Sequence, residues 1–189
     1  MENSEIIGKI EENPIIAAVR QQYDFEVALE SAVTTIFLLN EDMLNAKELI
    51  ERIKAKGKNV LFNVDSPKNF EKGREAVDYI CDTIRPDGII TSESNNIKYA
   101  KEKGMFSILK LSLVDSLSYE TAVNAALSDK PDMIEILPGI IPKVLKQYCS
   151  QVNIPVIAGG LIDSKEDIVN IIRAGALGAA AGKKELWEL

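Results

Sequence analysis

Eight short apolar segments alternate with longer amphipathic segments along the whole chain of 189 residues. The short segments are rich in β-branched residues, a pattern typical of parallel strands joined by crossover helices. They cover residues 15–20, 34–40, 59–65, 88–92, 106–115, 133–139, 155–162 and 175–182. Eight such units favour an α/β fold, a compact TIM-type (β/α)8 barrel.

The chain length limits the size of each strand–helix unit. A typical barrel of about 250 residues uses roughly 31 residues per unit, whereas this chain offers only about 24. We therefore expect short loops and some reduced helices, above all after the eighth strand. No linker-like stretch interrupts the series, so residues 1–189 are predicted to form a single domain in which residues 1–12 form a lead helix. An open flavodoxin-like sheet is the alternative, and it would require two or three of these strand predictions to be wrong.

The chain contains no histidine, which excludes whole classes of chemistry. Without an imidazole it cannot build a Ser-His-Asp or Cys-His catalytic arrangement, or a metal site with His ligands. The two cysteines, Cys81 and Cys149, lie far apart and lack metal-ligand spacing. No metal or cofactor site is therefore predicted, and any proton transfer would use carboxylates, Lys or Tyr.

Charge and hydropathy restrict the partners. The N-terminal residues lack the features of a signal peptide, and no run approaches the roughly 20 apolar residues of a membrane span. We therefore expect a cytoplasmic protein without a membrane partner. The net charge of −7 disfavours a nucleic-acid surface that covers the whole molecule. The lysine runs at residues 54–58 and 101–103 are interpreted as solvated helix C-termini, where cations compensate the dipole, rather than as an RNA-binding patch.

Glycine-containing segments follow the last two predicted strands. In barrels of this type, phosphate is often held by the loops after strands seven and eight. Gly159 and Gly160 end the seventh strand, while Gly182 and Lys183 stand at the start of a predicted short helix after the eighth. Backbone N–H groups can approach an anion closely at such positions. The four residues form a predicted phosphate site, although glycine pairs are also typical of tight packing.

Strand alternation predicts a second, polar group of residues at the mouth of the barrel. Residues of one parity point into the barrel, so Lys110 and Glu135 should face inward on adjacent strands. We expect them to form a buried ion pair, and such pairs are either part of a ligand site or purely structural. The predicted polar mouth consists of Arg20, Asn63, Asp65, Lys110, Asp115 and Glu135.

A series of sequence blocks also resembles a known family. The blocks are PIIAAVR (14–20), FLLN (37–40), RPDGIITS (85–92), SLVDS (112–116), KPDMIEILPGIIPKV (130–144), IPVIAGGLI (154–162) and ELW (185–187). From about residue 13 to the end, the chain resembles the glycerol-3-phosphate-responsive antiterminator family. The resemblance implies a TIM-type barrel that binds glycerol 3-phosphate and acts on the leader mRNA of glycerol-utilisation operons. It also implies that phosphate binds at Gly159, Gly160, Gly182 and Lys183.

The chain departs from the family's usual residues at three positions. Asn63 stands in the third strand where the family usually has His, and Glu93 follows the fourth strand where the family usually has Arg. Lys110 stands where the fifth strand usually has Arg, which keeps the charge but loses the bidentate fork of a guanidinium.

Three functional hypotheses follow from the sequence. The first is a regulator, not an enzyme, that binds glycerol 3-phosphate and leader mRNA. The alternatives are a barrel enzyme for a phosphorylated substrate, of isomerase or aldolase type, that uses Lys110, Asp65 and Glu135, and a degenerate small-molecule sensor. Because the short units leave apolar faces partly uncovered, we also expect a homodimer or a higher homo-oligomer.

Overall fold

Eight parallel strands form a closed barrel, in chain order, in the computed structural model of the protein. The structure describes residues 3–40, 42–65 and 73–189. The strands are β1 (Ile15–Val19), β2 (Thr35–Leu38), β3 (Asn59–Asn63), β4 (Gly88–Thr91), β5 (Phe106–Ser112), β6 (Met133–Leu137), β7 (Val156–Gly159) and β8 (Gly178–Ala181). Strand β1 pairs with both β2 and β8, which closes the ring. The predicted TIM-type barrel is confirmed, and the open flavodoxin-like sheet is excluded.

In the described part of the chain, one helix precedes the first strand, and seven helices connect successive strands on the outside of the barrel. Their bounds are α1 (Asn3–Glu12), α2 (Phe25–Glu30), α3 (Met43–Ala55), α4 (Arg74–Tyr79), α5 (Ser94–Glu102), α6 (Ser116–Asp129), α7 (Pro142–Gln151) and α8 (Lys165–Arg173). A π-helical turn, Ile80–Ile84, continues α4. After β8 the expected reduction is observed, because only a 3-10 turn, Lys184–Leu186, follows that strand. None of the described helices is long and apolar enough to cross a bilayer.

Local capping explains where two of these helices begin. Ser164 accepts a hydrogen bond from the Asp167 N–H, and the Asp167 carboxylate accepts from the Ser164 N–H, which forms a capping box at the start of α8. Asp115 and Ser118 form the same arrangement at the start of α6. Such boxes satisfy N–H groups that have no partner within the helix.

Strand alternation divides the apolar residues into two layers. Ile134 and Ile136 of β6 face outward and pack beneath the helices. Met133 of the same strand faces inward, and it fills the barrel together with Ile16, Phe37, Leu61, Ile90, Ile108 and Ile157. Lys110 and Glu135 share the inward parity of Ile108 and Met133, so the predicted orientation of both side chains is confirmed.

Helix α1 closes the amino-terminal end of the barrel. Ile6 is 1% exposed and Ile10 is completely buried, and both belong to the inner apolar cluster. Lys9, on another face of the helix, donates to the carbonyl oxygen of Gly57 at 3.0 Å. The lead helix, predicted over residues 1–12, therefore acts as a plug for the barrel, and its first two residues lie outside the described part of the chain.

We expect Ile10→Ala to lower the free energy of unfolding by about 2–5 kcal/mol, because it leaves a cavity beneath the inner layer. Urea denaturation measures this change. The matched control, Glu11→Ala, removes an exposed side chain from the same helix and should change stability by no more than about 0.5 kcal/mol. Equal stability of the two variants would show that α1 does not seal the barrel.

Candidate ligand-binding site at the carboxyl end of the barrel

Gly159 and Gly160 form the turn by which the chain leaves β7. Gly160 has a φ of 76°, a left-handed conformation that glycine adopts without the penalty of a Cβ atom. The carbonyl oxygen of Gly159 accepts a hydrogen bond from the Gly139 N–H at 2.6 Å, and that of Gly160 accepts from the same group at 3.3 Å. The turn is thus anchored to the loop that follows β6.

Lys183 connects the end of β8 to the loop after β7. Its Nζ donates to the carbonyl oxygen of Asp163 at 3.0 Å. The two segments are neighbours because Gly159 is paired with Ala180 in the β7–β8 ladder. Within the described ranges, no backbone carbonyl accepts a hydrogen bond from the N–H groups of Gly160, Gly182 or Lys183. The structure therefore brings all four residues of the predicted phosphate site to adjacent strand ends.

The predicted short helix after β8 is a 3-10 turn. Lys183 is its N-cap and has extended backbone angles, and the turn itself starts at Lys184. Trp187 holds this short segment in place, since its indole Nε1 donates to the carbonyl oxygen of Ala181 at 2.8 Å and its side chain is 1% exposed. The N–H groups at Gly182 and Lys183 thus belong to an extended segment.

Asp65 organises the opposite side of the mouth. Its carboxylate accepts hydrogen bonds from the hydroxyl of Thr91 and from both the N–H and the hydroxyl of Ser92. The ammonium of Lys110 lies 3.1 Å from its Oδ2 atom. Burial acts to raise the pKa of Asp65, but the hydrogen bond from Thr91 and the charge of Lys110 outweigh it, so the pKa is lowered. Asp65 is therefore an ionised anchor that joins β3, β4 and β5.

Glu135 is buried inside the barrel without the expected ion pair. Lys110 and Glu135 are register partners in the β5–β6 ladder, but the salt bridge of Lys110 is made with Asp65. Glu135 is 4% exposed, and its Oε2 atom has no hydrogen-bond partner among the described residues. Burial raises the pKa of Glu135 to about 7, against the opposing charges of Lys110 and Arg20. The predicted Lys110–Glu135 ion pair is thus wrong, because Asp65 offers Lys110 a more exposed carboxylate.

The remaining residues of the predicted mouth have different roles. The amide of Asn63 donates to the Leu39 carbonyl at 3.0 Å and accepts from the Asp65 N–H at 3.3 Å, so it fixes the end of β3. Arg20 follows β1, is exposed, and acts on Glu135 through its charge. Asp115 caps α6 with its carboxylate, which accepts from the Ser118 N–H at 2.8 Å. This hydrogen bond lowers the pKa of Asp115, and its carboxylate is committed to the helix rather than to the mouth.

A cleft of about 540 Å³ beside Asp65 is also lined by Glu93, which the sequence comparison had singled out, and by four residues that were not predicted: Arg74, Ser92, Asn96 and Tyr99. The guanidinium of Arg74 lies 5.0 Å from the ring centroid of Tyr99, a cation–π geometry. The hydroxyls of Thr91 and Ser92 at the end of β4 are the signal that could have identified this side of the mouth.

The lysine runs considered as an alternative RNA surface are largely engaged within the protein. Lys54 forms an ion pair with Asp87 at 3.0 Å, and Lys56 forms one with Glu30 at 2.8 Å. Lys103 lies 2.6 Å from a carboxylate oxygen of Asp82. These contacts agree with a structural role for both runs. Within the described ranges, no group of three Cys, Asp or Glu side chains is arranged to hold a metal ion.

Comparison with known proteins identifies close relatives. The Escherichia coli (strain K12) protein YgcP, described as uncharacterized, is 31% identical over 184 residues, which cover 97% of this chain and 96% of YgcP. The crystal structure of the glycerol uptake operon antiterminator regulatory protein from Listeria monocytogenes is 36% identical. It covers 93% of this chain and 95% of its own, with a TM-score of 0.88.

Two further structures show how widely the fold is shared. A glycerol uptake operon antiterminator-related protein from Thermotoga maritima is 28% identical, covers 93% of this chain and 98% of its own, and has a TM-score of 0.81. An aldolase named QR15 has a TM-score of 0.72 at 15% identity, with 90% of each chain covered. The likeness to the aldolase shows the fold alone.

The family itself is shown by a sequence model that matches almost the whole barrel. The model describes the glycerol-3-phosphate responsive antiterminators, and it matches residues 15–187. That range begins at the first residue of β1 and ends at Trp187, so it includes all eight strands and both segments of the predicted phosphate site. This protein belongs to the glycerol-3-phosphate responsive antiterminator family.

Proposed function

We propose that this protein binds glycerol 3-phosphate at the carboxyl end of the barrel and, in that state, binds leader mRNA so that transcription continues past a terminator. The observation that carries the proposal is the family match over residues 15–187, which includes every strand that forms the mouth. The expected operons are those for glycerol utilisation. The ligand and the RNA are separate parts of the proposal, and each is tested below.

The N–H groups at the ends of β7 and β8 support the part of the proposal that concerns glycerol 3-phosphate. Gly160, Gly182 and Lys183 present three N–H groups at neighbouring strand ends, and no backbone carbonyl of the described residues accepts a hydrogen bond from them. Free backbone N–H groups favour a phosphate, and Lys183 adds a positive charge at the same strand end. Arg20, at the end of the adjacent strand β1, contributes a second cation to the same mouth. We infer that the phosphate of the ligand lies over Gly160 and Gly182.

The contacts of Lys110 favour a regulator over an aldolase-type enzyme. An aldolase lysine attacks a carbonyl as a free amine, whereas the Nζ of Lys110 is held 3.1 Å from the carboxylate of Asp65. Asp65 itself already accepts hydrogen bonds from Thr91 and Ser92. Two of the three side chains that such an enzyme would use, Lys110 and Asp65, are therefore held to one another in an ion pair.

Exposed apolar side chains near the mouth support self-association, which stays a prediction. Val114 is 80% exposed and Leu161 is 67% exposed, and both lie in loops at the carboxyl end of the barrel. Exposed apolar residues that are grouped on one face are typical of interaction sites.

Isothermal titration calorimetry tests the ligand. We expect glycerol 3-phosphate to bind, and glycerol at the same millimolar concentrations not to bind, because the phosphate supplies the contacts with the N–H groups. Lys183→Met should weaken the affinity about tenfold, the effect of one charged hydrogen bond. Lys146→Met, which removes an exposed lysine on α7, is the matched control and should leave the affinity unchanged. Equal heats for glycerol and glycerol 3-phosphate would refute the ligand half.

Filter binding tests the RNA half. With glycerol 3-phosphate present, we expect the protein to retain a leader transcript of a glycerol-utilisation operon, and the logarithm of the affinity should fall linearly with that of the salt concentration. A transcript of equal length and shuffled sequence is the control. If the ligand-loaded protein binds neither RNA, or binds both equally, the antitermination role is rejected and a small-molecule sensor becomes the better description.

Borohydride reduction tests the enzymatic alternative. A Schiff base between Lys110 and a phosphorylated ketose would be trapped as a stable adduct, which peptide mass spectrometry would detect. We expect Lys110 to remain unmodified, because its amine is held in the ion pair with Asp65. A Lys110 adduct that forms in the wild-type protein and is lost in Lys110→Met would instead show that the protein forms a Schiff base, as an aldolase-type enzyme does.

A further inference from the structure

Glu135 is an ionisable residue of the barrel interior whose position the fold alone does not explain. It is 4% exposed, and its buried Oε2 atom has no hydrogen-bond partner among the described residues. A buried polar atom without a partner is destabilising. An apolar residue of similar size would avoid that cost, which points to a ligand that uses this carboxyl group.

Strand β7, next to Glu135, leaves space for its carboxyl group at Gly159. The Oε1 atom lies against Gly159, in space that a Cβ atom at position 159 would occupy. A Cβ atom at position 159 would therefore displace the carboxyl group, while the left-handed conformation of the turn falls on Gly160. This packing places Glu135 directly beneath the chain segment whose N–H groups we assign to the phosphate.

The charged groups around Glu135 suit a ligand that carries both phosphate and hydroxyl groups. Lys110 faces it from β5 and Arg20 from the end of β1, and both charges favour its ionised form. Beyond Lys110 lies the carboxylate of Asp65, which is already saturated with partners. Glu135, in contrast, retains hydrogen-bonding capacity on its buried Oε2 atom.

We propose that Glu135 is the specificity-determining residue for the polyol part of the ligand, and that its carboxyl group bonds a hydroxyl group of glycerol 3-phosphate while the phosphate lies over Gly160 and Gly182. This inference rests on the proposed function, since it requires the phosphate site after β7 and β8. A carboxyl group bonds a hydroxyl in either protonation state, as acceptor when ionised and as donor or acceptor when neutral. It gains nothing from an alkyl chain, so it selects polyol phosphates over alkyl phosphates.

The test compares two ligands of equal chain length by calorimetry: glycerol 3-phosphate and n-propyl phosphate, which lacks both hydroxyls. We expect the wild-type protein to prefer glycerol 3-phosphate about tenfold or more, the effect of a hydrogen bond to a charged group. Glu135→Leu keeps the volume and removes the bonding atoms, and it should bind both ligands equally and at the wild-type affinity for n-propyl phosphate. Glu135→Gln keeps a polar group and should restore part of the preference.

The controls separate this inference from the proposed function. Glu120→Gln, an exposed carboxylate on α6, should keep the full wild-type preference. If the wild-type protein prefers glycerol 3-phosphate and Glu135→Leu retains that preference in full, the role of Glu135 is overturned while the phosphate site stands. Should the leucine variant not fold, Glu135→Gln takes its place in this comparison. If the wild-type protein binds neither ligand, the proposed function fails first, and the inference fails with it.

Discussion

Closure of the barrel by the β1–β8 pairing is the constraint on which the rest of the structure depends. Ile15, Ile16 and Ala17 pair with Ala179, Ala180 and Ala181, so the first and last strands of the chain share a ladder. The side chains of β8 are all small, so the last strand can pack against the first in a barrel that has only about 24 residues per unit. Closure also brings Arg20, after β1, beside Gly182 and Lys183, after β8. The carboxyl end thereby acquires cations and uncommitted N–H groups from segments more than 150 residues apart in sequence.

The interior of the barrel changes character from one end to the other. At the amino-terminal end, Ile6 and Ile10 of α1 seal an apolar layer. Towards the carboxyl end the inward positions carry the ionisable side chains of Glu135 and Lys110, whereas the inward polar residues at the base, Thr35 and Asn59, are neutral and completely buried. This gradient separates stability from binding, because a polar residue near the mouth can reach solvent or a ligand whereas one at the base cannot. Glu135 lies at the boundary, which explains both its burial and its raised pKa.

Much of this arrangement could be predicted from the sequence, because it follows from periodicity. Alternation along β5 and β6 correctly placed Lys110 and Glu135 inside the barrel, and the strand order placed Gly159 and Gly182 at the same end. Side-chain pairing could not be predicted in the same way. Lys110 reaches past β4 to Asp65, two residues after β3, and this pairing depends on side-chain length and on the hydroxyls of Thr91 and Ser92. Asp115 caps α6 instead of facing the mouth, because a carboxylate three residues before Ser118 forms a capping box through local contacts alone.

The central claim, that phosphate binds where β7 and β8 end, is tested most directly by a crystal structure of the protein with glycerol 3-phosphate. We predict phosphate density within hydrogen-bonding distance of the Gly160 and Gly182 N–H groups, with the carbon chain directed towards Glu135. Density for the phosphate in the cleft beside Asp65 and Arg74, with the N–H groups of Gly160 and Gly182 left without a ligand, would contradict the account.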